Sequence, residues 1–294
     1  AADASLKVLC EAELLEAAAE RQYRFAHALV QEVVYQNLLL RRRTELHGRA
    51  GVALEAVAGG RPERLEDLEA LGHHFSHSAD KAKGARYLVA AGDWARAIYA
   101  NEDALRHYRR ALATLVECEG CDPERLDVHE RLGDLLGPTG GRPEALEHFE
   151  ATLAGHAAAG NRPAQARLHR KIGGLHWEAG DRARALAGFE KGLTLLDGQP
   201  ENVELARLYQ EMGRAAFRSG DNAGAIEWAE RALAHAERLA TSDDPATRKE
   251  AAAAIAHARN TLGIALARTG RLEDAAAQIE RSVAAALAEE LLQP

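Results

Sequence analysis

A fixed spacing of small residues recurs four times in the C-terminal two-thirds of the chain. Each copy has an apolar residue and a glycine, a second glycine seven positions later, an alanine five further on, and a last position four beyond. The copies begin at Leu132-Gly133, Ile172-Gly173, Met212-Gly213 and Leu262-Gly263. The last positions are Phe149, Phe189, Ala229 and Ile279. Such a period predicts stacked helix pairs, because each pair buries its apolar face against the next.

Each offset that the four copies share has a physical reason. The first glycine and the alanine allow two helices to pack closely, and we expect the large last residue to fill the gap between copies. The second glycine ends the first helix, where a left-handed residue costs little for glycine. We therefore predict antiparallel helix pairs that turn near Gly140, Gly180, Gly220 and Gly270, with no β-sheet beyond residue 60.

Composition supports an all-α chain and excludes several functional classes. Alanine is abundant and only 8 of 294 residues are proline, which favours helix. A formal charge of -8 argues against non-specific nucleic-acid binding. The sequence contains no run of 18 apolar residues, so we expect no membrane span. Three cysteines are too few for a disulfide framework, so we expect a reducing cytoplasm. Since the only methionine is Met212, we expect the chain to be a piece of a longer protein.

From about residue 124 onward the spacing resembles the core of the tetratricopeptide (TPR) consensus. The resemblance implies a TPR-like α-solenoid of antiparallel helix pairs. The first glycines, counted from Gly92, lie 41, 40, 40 and 50 residues apart, and longer helices than the usual ones account for this. An earlier, degenerate copy has Tyr99 in place of the turn glycine. Here we predict three helices, over about 63–78, 81–99 and 102–117.

The first 60 residues do not follow the repeat. Their pattern predicts a helix over Ala4–Glu20, a short strand at Tyr23-Arg24-Phe25, and helices over Ala28–Leu40 and Glu45–Val57. Helix, strand and helix in this order suggest the end of a winged-helix-like domain. We therefore divide the chain into a winged-helix-like segment (1–60), degenerate TPR-like helices (61–118) and four TPR-like repeats (119–294).

Two segments near the N-terminus carry a more specific resemblance. "YRFAHALVQEVVYQNLL" (23–39) and "RRRTELHGRAGVALEA" (41–56) resemble the region after the ATPase module in bacterial class III adenylate/guanylate cyclases with an AAA/STAND-type module. Large LuxR-type transcription regulators share this arrangement and are the alternative. The resemblance implies a regulatory region of an ATPase-linked signalling protein. The chain has no G-x-x-x-x-G-K-[ST] phosphate loop, so we expect no enzyme activity, catalytic residue or cofactor here.

Two groups of residues are compatible with metal or redox chemistry. Cys118 and Cys121 form a C-x-x-C motif, which is typical of a redox pair or half a zinc site. The alternative, which we favour, is a loop with two incidental thiols. His73 and His77 are four residues apart on one predicted helix, a spacing that can bind a metal. We favour a packing or hydrogen-bonding role for them and predict no metal site.

The predicted binding surface is the concave face of the first helices of the repeats. Its residues follow from their offsets to each first glycine: Arg167, Arg170, Trp177, Arg207, Gln210, Arg214, Phe217, Arg218, His257, Asn260 and Arg268. Arginine binds carboxylates bidentately and aromatic rings anchor partners. We therefore expect an acidic protein or peptide partner, either separate or part of the parent. The alternatives are solvated arginines, a small-ligand sensor and, third, an enzyme.

Overall fold

The computed structural model describes residues 2–19, 22–60 and 62–291. The chain divides into two compact units, Ala1–Val128 and His129–Pro294, and one helix crosses the boundary. The described residues are almost entirely helical, and after residue 60 they include no strand. The predicted all-α, TPR-like fold and the absence of a later sheet are thus confirmed for these residues.

The first unit combines a small hairpin with a series of helices. Its elements are α1 (Ala2–Glu11), β1 (Leu15–Ala19), β2 (Gln22–Phe25), α2 (Ala28–Asn37), α3 (Leu40–Val57), α4 (Leu65–Ser76), α5 (Lys81–Ala97) and α6 (Asn101–Val116). The three helices predicted between residues 63 and 117 are confirmed. Tyr99, in the position of a turn glycine, has a positive φ of 61° and its side chain is exposed.

The predicted helix over Ala4–Glu20 is wrong in its second half. Helix α1 ends at Glu11, and β1 pairs antiparallel with β2 so that Leu15 lies opposite Phe25. Alanine-rich sequence favours helix, but pairing with a strand rich in aromatic residues overrides that local preference. Glu20 lies outside the described residues. The predicted strand at residues 23–25 is confirmed.

The second unit contains the repeated helix pairs. Its elements are the end of α7 (Asp122–Leu136), then α8 (Arg142–Ala158), α9 (Arg162–Glu178), α10 (Arg182–Leu196), α11 (Val203–Ser219), α12 (Asn222–Leu239), α13 (Pro245–Arg268) and α14 (Leu272–Leu291). We call α7, α9, α11 and α13 the A helices, and α8, α10, α12 and α14 the B helices. Each B helix follows its A helix after a short turn and packs against it.

The turns between A and B helices use the second glycine of each copy, as predicted. These glycines have φ values of 97° at Gly140, 84° at Gly180, 88° at Gly220 and 84° at Gly270. In two turns the next residue caps the B helix: Asp181 accepts from the N–H of Arg184 at 3.0 Å, and Asp221 from that of Gly224 at 2.8 Å. The cap satisfies a backbone donor that would otherwise have no partner at the helix start.

The last residue of each copy packs against the first glycine of its own copy. Phe189 also shares a buried cluster with Leu208 of the next copy, as expected for a residue that fills the gap between copies. A Cβ atom added at Gly133 would lie 2.5 Å from Phe149, and one at Gly173 would lie 2.6 Å from Phe189. Where the last residue is Ala229, a Cβ atom at Gly213 would be no closer than 3.4 Å to any neighbour. The alanines between them, such as Ala185 and Ala225, are fully buried.

Two further expectations can be compared with the described residues. No helix among them is long and apolar enough to cross a membrane. Cys118 and Cys121 are joined by a disulfide in the connection from α6 to α7. The expectation of two incidental thiols is therefore wrong, because the tight connection brings both side chains together. The third cysteine, Cys10, is free.

The glycine positions give a prediction with an internal control. Gly173→Ala should destabilise the chain by about 1–3 kcal/mol, because its Cβ atom overlaps the Phe189 ring and forces strain. Gly213→Ala should instead be neutral or stabilise by up to about 1 kcal/mol, since alanine is the better helix former and has room. Urea unfolding of both variants measures the difference, and equal effects would contradict this account of the packing.

Candidate functional site

Three A helices of the second unit line an open cavity of about 470 Å³. Its polar lining comes from Arg170 of α9, from Arg207, Gln210, Glu211 and Arg214 of α11, and from Glu250, His257, Asn260 and Thr261 of α13. We call this the A-helix cavity. The structure thus brings together six of the eleven predicted groove residues: Arg170, Arg207, Gln210, Arg214, His257 and Asn260.

Helical periodicity explains why these side chains share one face. On α11 the lining residues lie at 207, 210, 211 and 214, and on α13 at 250, 253, 254, 257, 260 and 261. Spacings of three and four residues place side chains above one another on a helix. Away from the cavity, α11 carries Leu208 and Gly213, which are buried in the core. Packing of one face therefore presents the polar face to the cavity.

A second cavity of about 280 Å³ adjoins the first. It is lined by residues of α7 and α9, including Asp134, Lys171 and Glu178, and by Gly137 after α7. Arg170 and Glu211 line both cavities. The two cavities together form a groove that runs across α7, α9, α11 and α13, and we call it the A-helix groove.

Arg167 is held by an acidic residue of the neighbouring A helix. Its guanidinium donates two hydrogen bonds to Glu130, at 2.7 and 2.8 Å, and Lys171 donates to Glu130 at 2.7 Å and to Asp134 at 2.6 Å. Burial alone would raise the pKa of Glu130. The bond from Arg167 and the charge of Lys171 outweigh burial and lower this pKa from 4.5 to about 2.

The other arginines of the cavity differ in how firmly they are paired. Arg170 donates to both carboxylate oxygens of Glu204, whose side chain is buried. Arg207 has only longer contacts, 3.8 Å to Glu204 and 3.5 Å to Glu250. Arg214 pairs with Glu211 on its own helix at 3.1 Å, and its side chain is 45% exposed against 18% for Arg170.

Five of the predicted residues lie outside the cavity: Arg167, which Glu130 holds, and four residues that form two cation–π pairs. The guanidinium of Arg218 lies over the ring of Trp177, 5.7 Å from its centroid, and that of Arg268 lies 3.9 Å from the centroid of Phe217. Both distances suit cation–π attraction. Trp177 and Phe217 thus already have partners within the chain near the C-terminal ends of α9 and α11.

Sequence reasoning missed three acidic residues at the A-helix cavity. Glu211 and Glu250 line the cavity, and Glu204 holds Arg170. Their signal was present locally, because Glu204 and Glu211 lie three positions before Arg207 and Arg214. As a result the cavity has mixed charge, not the uniformly basic character that the arginines suggested. Binding by the eleven predicted residues stays a prediction.

Comparisons with known proteins support the fold. No protein-family model and no curated protein sequence matches the chain. One similar structure contains TPR-like repeats, nearly identical to one another, that are assigned to a kinesin light chain of Podosopora anserina. Its sequence is 17% identical to this chain, and the match covers 68% of this chain and 93% of that one, with a TM-score of 0.52. The apo quorum sensor NprR of B. thuringiensis is 14% identical to this chain. The match covers 87% of this chain and 70% of that one, with a TM-score of 0.58.

A third similar structure is a Rap protein complexed with Competence and Sporulation Factor. It is 13% identical, the match covers 90% of this chain and 81% of that chain, and the TM-score is 0.51. At such low identity these likenesses show the fold alone. Together with the helix pairs described above, they show that this chain has a TPR-like fold.

The Glu130 ion pairs predict a pH dependence of stability. A carboxylate whose pKa is lowered on folding contributes its full stabilisation above its usual pKa of 4.5 and loses it as the pH falls toward about 2. We expect wild-type protein to lose about 2–3 kcal/mol more stability than Glu130→Gln between pH 6 and pH 3. Urea unfolding at both pH values measures this difference.

Glu227→Gln is the matched control for this experiment. Glu227 pairs with Arg231 on the surface of α12, where an ion pair is worth roughly 0–1 kcal/mol. This variant should follow the wild-type pH profile closely. If Glu130→Gln followed it as well, the proposed contribution of the Glu130 cluster would be refuted.

Proposed function

We propose that the second unit is a protein-interaction region with a regulatory role, and that its A-helix groove binds a protein or peptide segment. The observation that carries this proposal is the cavity of about 470 Å³ built from three A helices and continued by the second cavity. A groove across four helices suits an extended segment better than a compact small molecule. Its charged groups are tied in ion pairs rather than arranged as nucleophile and base, which supports binding over catalysis.

The unequal pairing of the arginines supports an acidic segment. Arg214 has a local, exposed ion pair, and such pairs contribute roughly 0–1 kcal/mol. A carboxylate of the partner can therefore replace Glu211 at little cost, and the longer contacts of Arg207 make it available in the same way. Arg167 and Arg170 hold buried or half-buried carboxylates of this chain, so we assign them a structural role.

The neutral side chains of the cavity support recognition of peptide backbone. The amides of Gln210 and Asn260 each carry a donor and an acceptor, as a peptide group does. They come from α11 and α13, so they can contact successive peptide groups of one extended segment. His257 and Thr261 add further hydrogen-bonding groups on α13.

A small-ligand sensor is the second candidate function. The cavity volume of about 470 Å³ is within the range of small-molecule sites, roughly 300–1,000 Å³. Such sites are mainly apolar, whereas this lining is mainly charged or amide-bearing, which favours the peptide. Among the similar structures, one is a quorum sensor and one is a Rap protein bound to Competence and Sporulation Factor, and both suit a sensing role.

The sequence resemblance supplies the wider context of the proposal. On this basis we propose that the region lies beside the ATPase module of a cytoplasmic signalling protein, of the cyclase type or, alternatively, of the LuxR type. The bound segment then belongs either to a separate protein or to the parent, where it would be autoinhibitory. Support for this context comes from the segments 23–39 and 41–56 and from the likeness that continues at 68–80 and 99–115.

The proposal can be tested with peptide libraries. Fluorescent decapeptides with random flanks and either Asp/Glu or Lys/Arg at the central positions are titrated against the full chain by anisotropy. We expect the acidic set to bind at least about tenfold more tightly, and Arg207→Glu with Arg214→Glu to abolish this binding. Affinity should fall between 0.1 and 1 M salt, because the Debye length falls from about 10 to 3 Å.

Arg184→Glu is the control variant. Arg184 is an exposed residue of α10, a B helix, and its carboxylate replacement in the first helical turn suits the helix dipole. It should bind acidic peptides like wild type. Equal affinity for acidic and basic sets, or full binding by the double variant, would contradict the proposed site.

A further inference from the structure

Four histidines of the first unit meet between α3 and α4. His47 lies on α3, and His73 and His74 lie on α4, which His77 follows directly. The ring centroid of His47 lies 5.4 Å from that of His73, 5.1 Å from that of His74 and 5.1 Å from that of His77. We call these residues the histidine cluster. Sequence analysis identified its i, i+4 pair but not His47, which comes from another helix.

Three members of the histidine cluster present ligand atoms to one another. One ring nitrogen from each of His47, His73 and His77 lies within 4.8 Å of the other two. Nitrogen atoms that share a metal ion at about 2.0–2.1 Å lie roughly 3–4 Å apart, so small side-chain rotations complete such a site. Among the residues that the structure describes, no other group of three or more His, Cys, Asp or Glu side chains has its ligand atoms so close together.

Neighbouring groups orient two of these imidazoles in the manner of metal ligands. The Nδ1 of His77 lies 2.8 Å from the carbonyl oxygen of His73, so an Nδ1–H donates to it and the Nε2 lone pair is free. The Nε2 of His47 lies 3.0 Å from the Tyr35 hydroxyl, which holds the buried ring in place. The Nδ1 of His47 lies 3.1 Å from the Nδ1 of His74, and binding of an ion by His47 would replace this contact. Histidine ligands usually have their second nitrogen held by such a partner.

Simple ring packing is the alternative explanation of the cluster. However, apolar packing does not need four polar rings, two of them exposed, at the junction of two helices.

We propose that His47, His73 and His77 bind one Zn²⁺ ion between α3 and α4. Imidazole is a preferred zinc ligand, and three histidines leave a fourth tetrahedral position for water or for an exogenous ligand. Because His73 and His77 are exposed, that position faces solvent. The ion would join α3, which belongs to the N-terminal segment, to α4, the first TPR-like helix.

The test uses the full chain without a histidine tag, treated with EDTA and then dialysed. Calorimetric titration with ZnCl₂ at pH 7.5 should show one ion per chain, and Zn²⁺ should raise the unfolding temperature. Co²⁺ should give the visible absorption of a tetrahedral nitrogen-ligated ion. His73→Ala and His77→Ala should each weaken Zn²⁺ binding by about tenfold or more. Both side chains are exposed, so these variants should fold, which circular dichroism checks.

His27→Ala is the matched control, because His27 is an exposed histidine of the same unit and makes no side-chain cap at the start of α2. It should bind Zn²⁺ like wild type. Absence of stoichiometric binding to the wild-type chain would overturn the proposal. So would full binding by the His73→Ala, His77→Ala double variant.

Discussion

The structure of the second unit depends on how closely each A helix can approach its B helix. The rings of Phe149 and Phe189 lie against Gly133 and Gly173, at distances that leave no room for a Cβ atom. Protein interiors are packed as densely as organic crystals, so this contact fixes the depth at which the two helices pack. The same contact fixes the rotation of α9 about its axis, and therefore the directions in which Arg167 and Arg170 project. Close packing on one face therefore determines which side chains line the A-helix groove.

Ion pairs between A helices form the second layer of organisation. Glu130 of α7 holds Arg167 and Lys171 of α9, and Glu204 of α11 holds Arg170 of α9. Removing one partner of a buried ion pair costs about 3–5 kcal/mol, whereas exposed pairs contribute about 0–1 kcal/mol. Arg167 and Arg207 are almost equally exposed, at 37% and 36%, so the difference lies in their bonding. Short hydrogen bonds to largely buried carboxylates of a neighbouring A helix separate Arg167 and Arg170, which hold the array together, from Arg207 and Arg214, which are available to a partner.

Positions that depend on backbone conformation could be predicted from sequence, and contacts between segments could not. Turn glycines such as Gly180 follow from the conformational needs of a tight turn, so their positions were predicted correctly. The stretch after Glu11 was predicted as helix because its alanines favour helix, but pairing with the strand that follows it makes it extended. The candidate site shows the same limit: Glu204 is 34 residues from Arg170, and His47 is 26 residues before His73.

The arginines near the A-helix groove fall into two classes, and the rates at which their Nε protons exchange with water test this division. In ¹⁵N NMR spectra of the full chain, the Nε–H groups of Arg167 and Arg170, which donate to Glu130 and Glu204, should exchange slowly with water. Those of Arg207 and Arg214, whose ion pairs are made through the terminal NH groups, should exchange at least about tenfold faster. Similar exchange rates for all four arginines would contradict the division between structural and available residues.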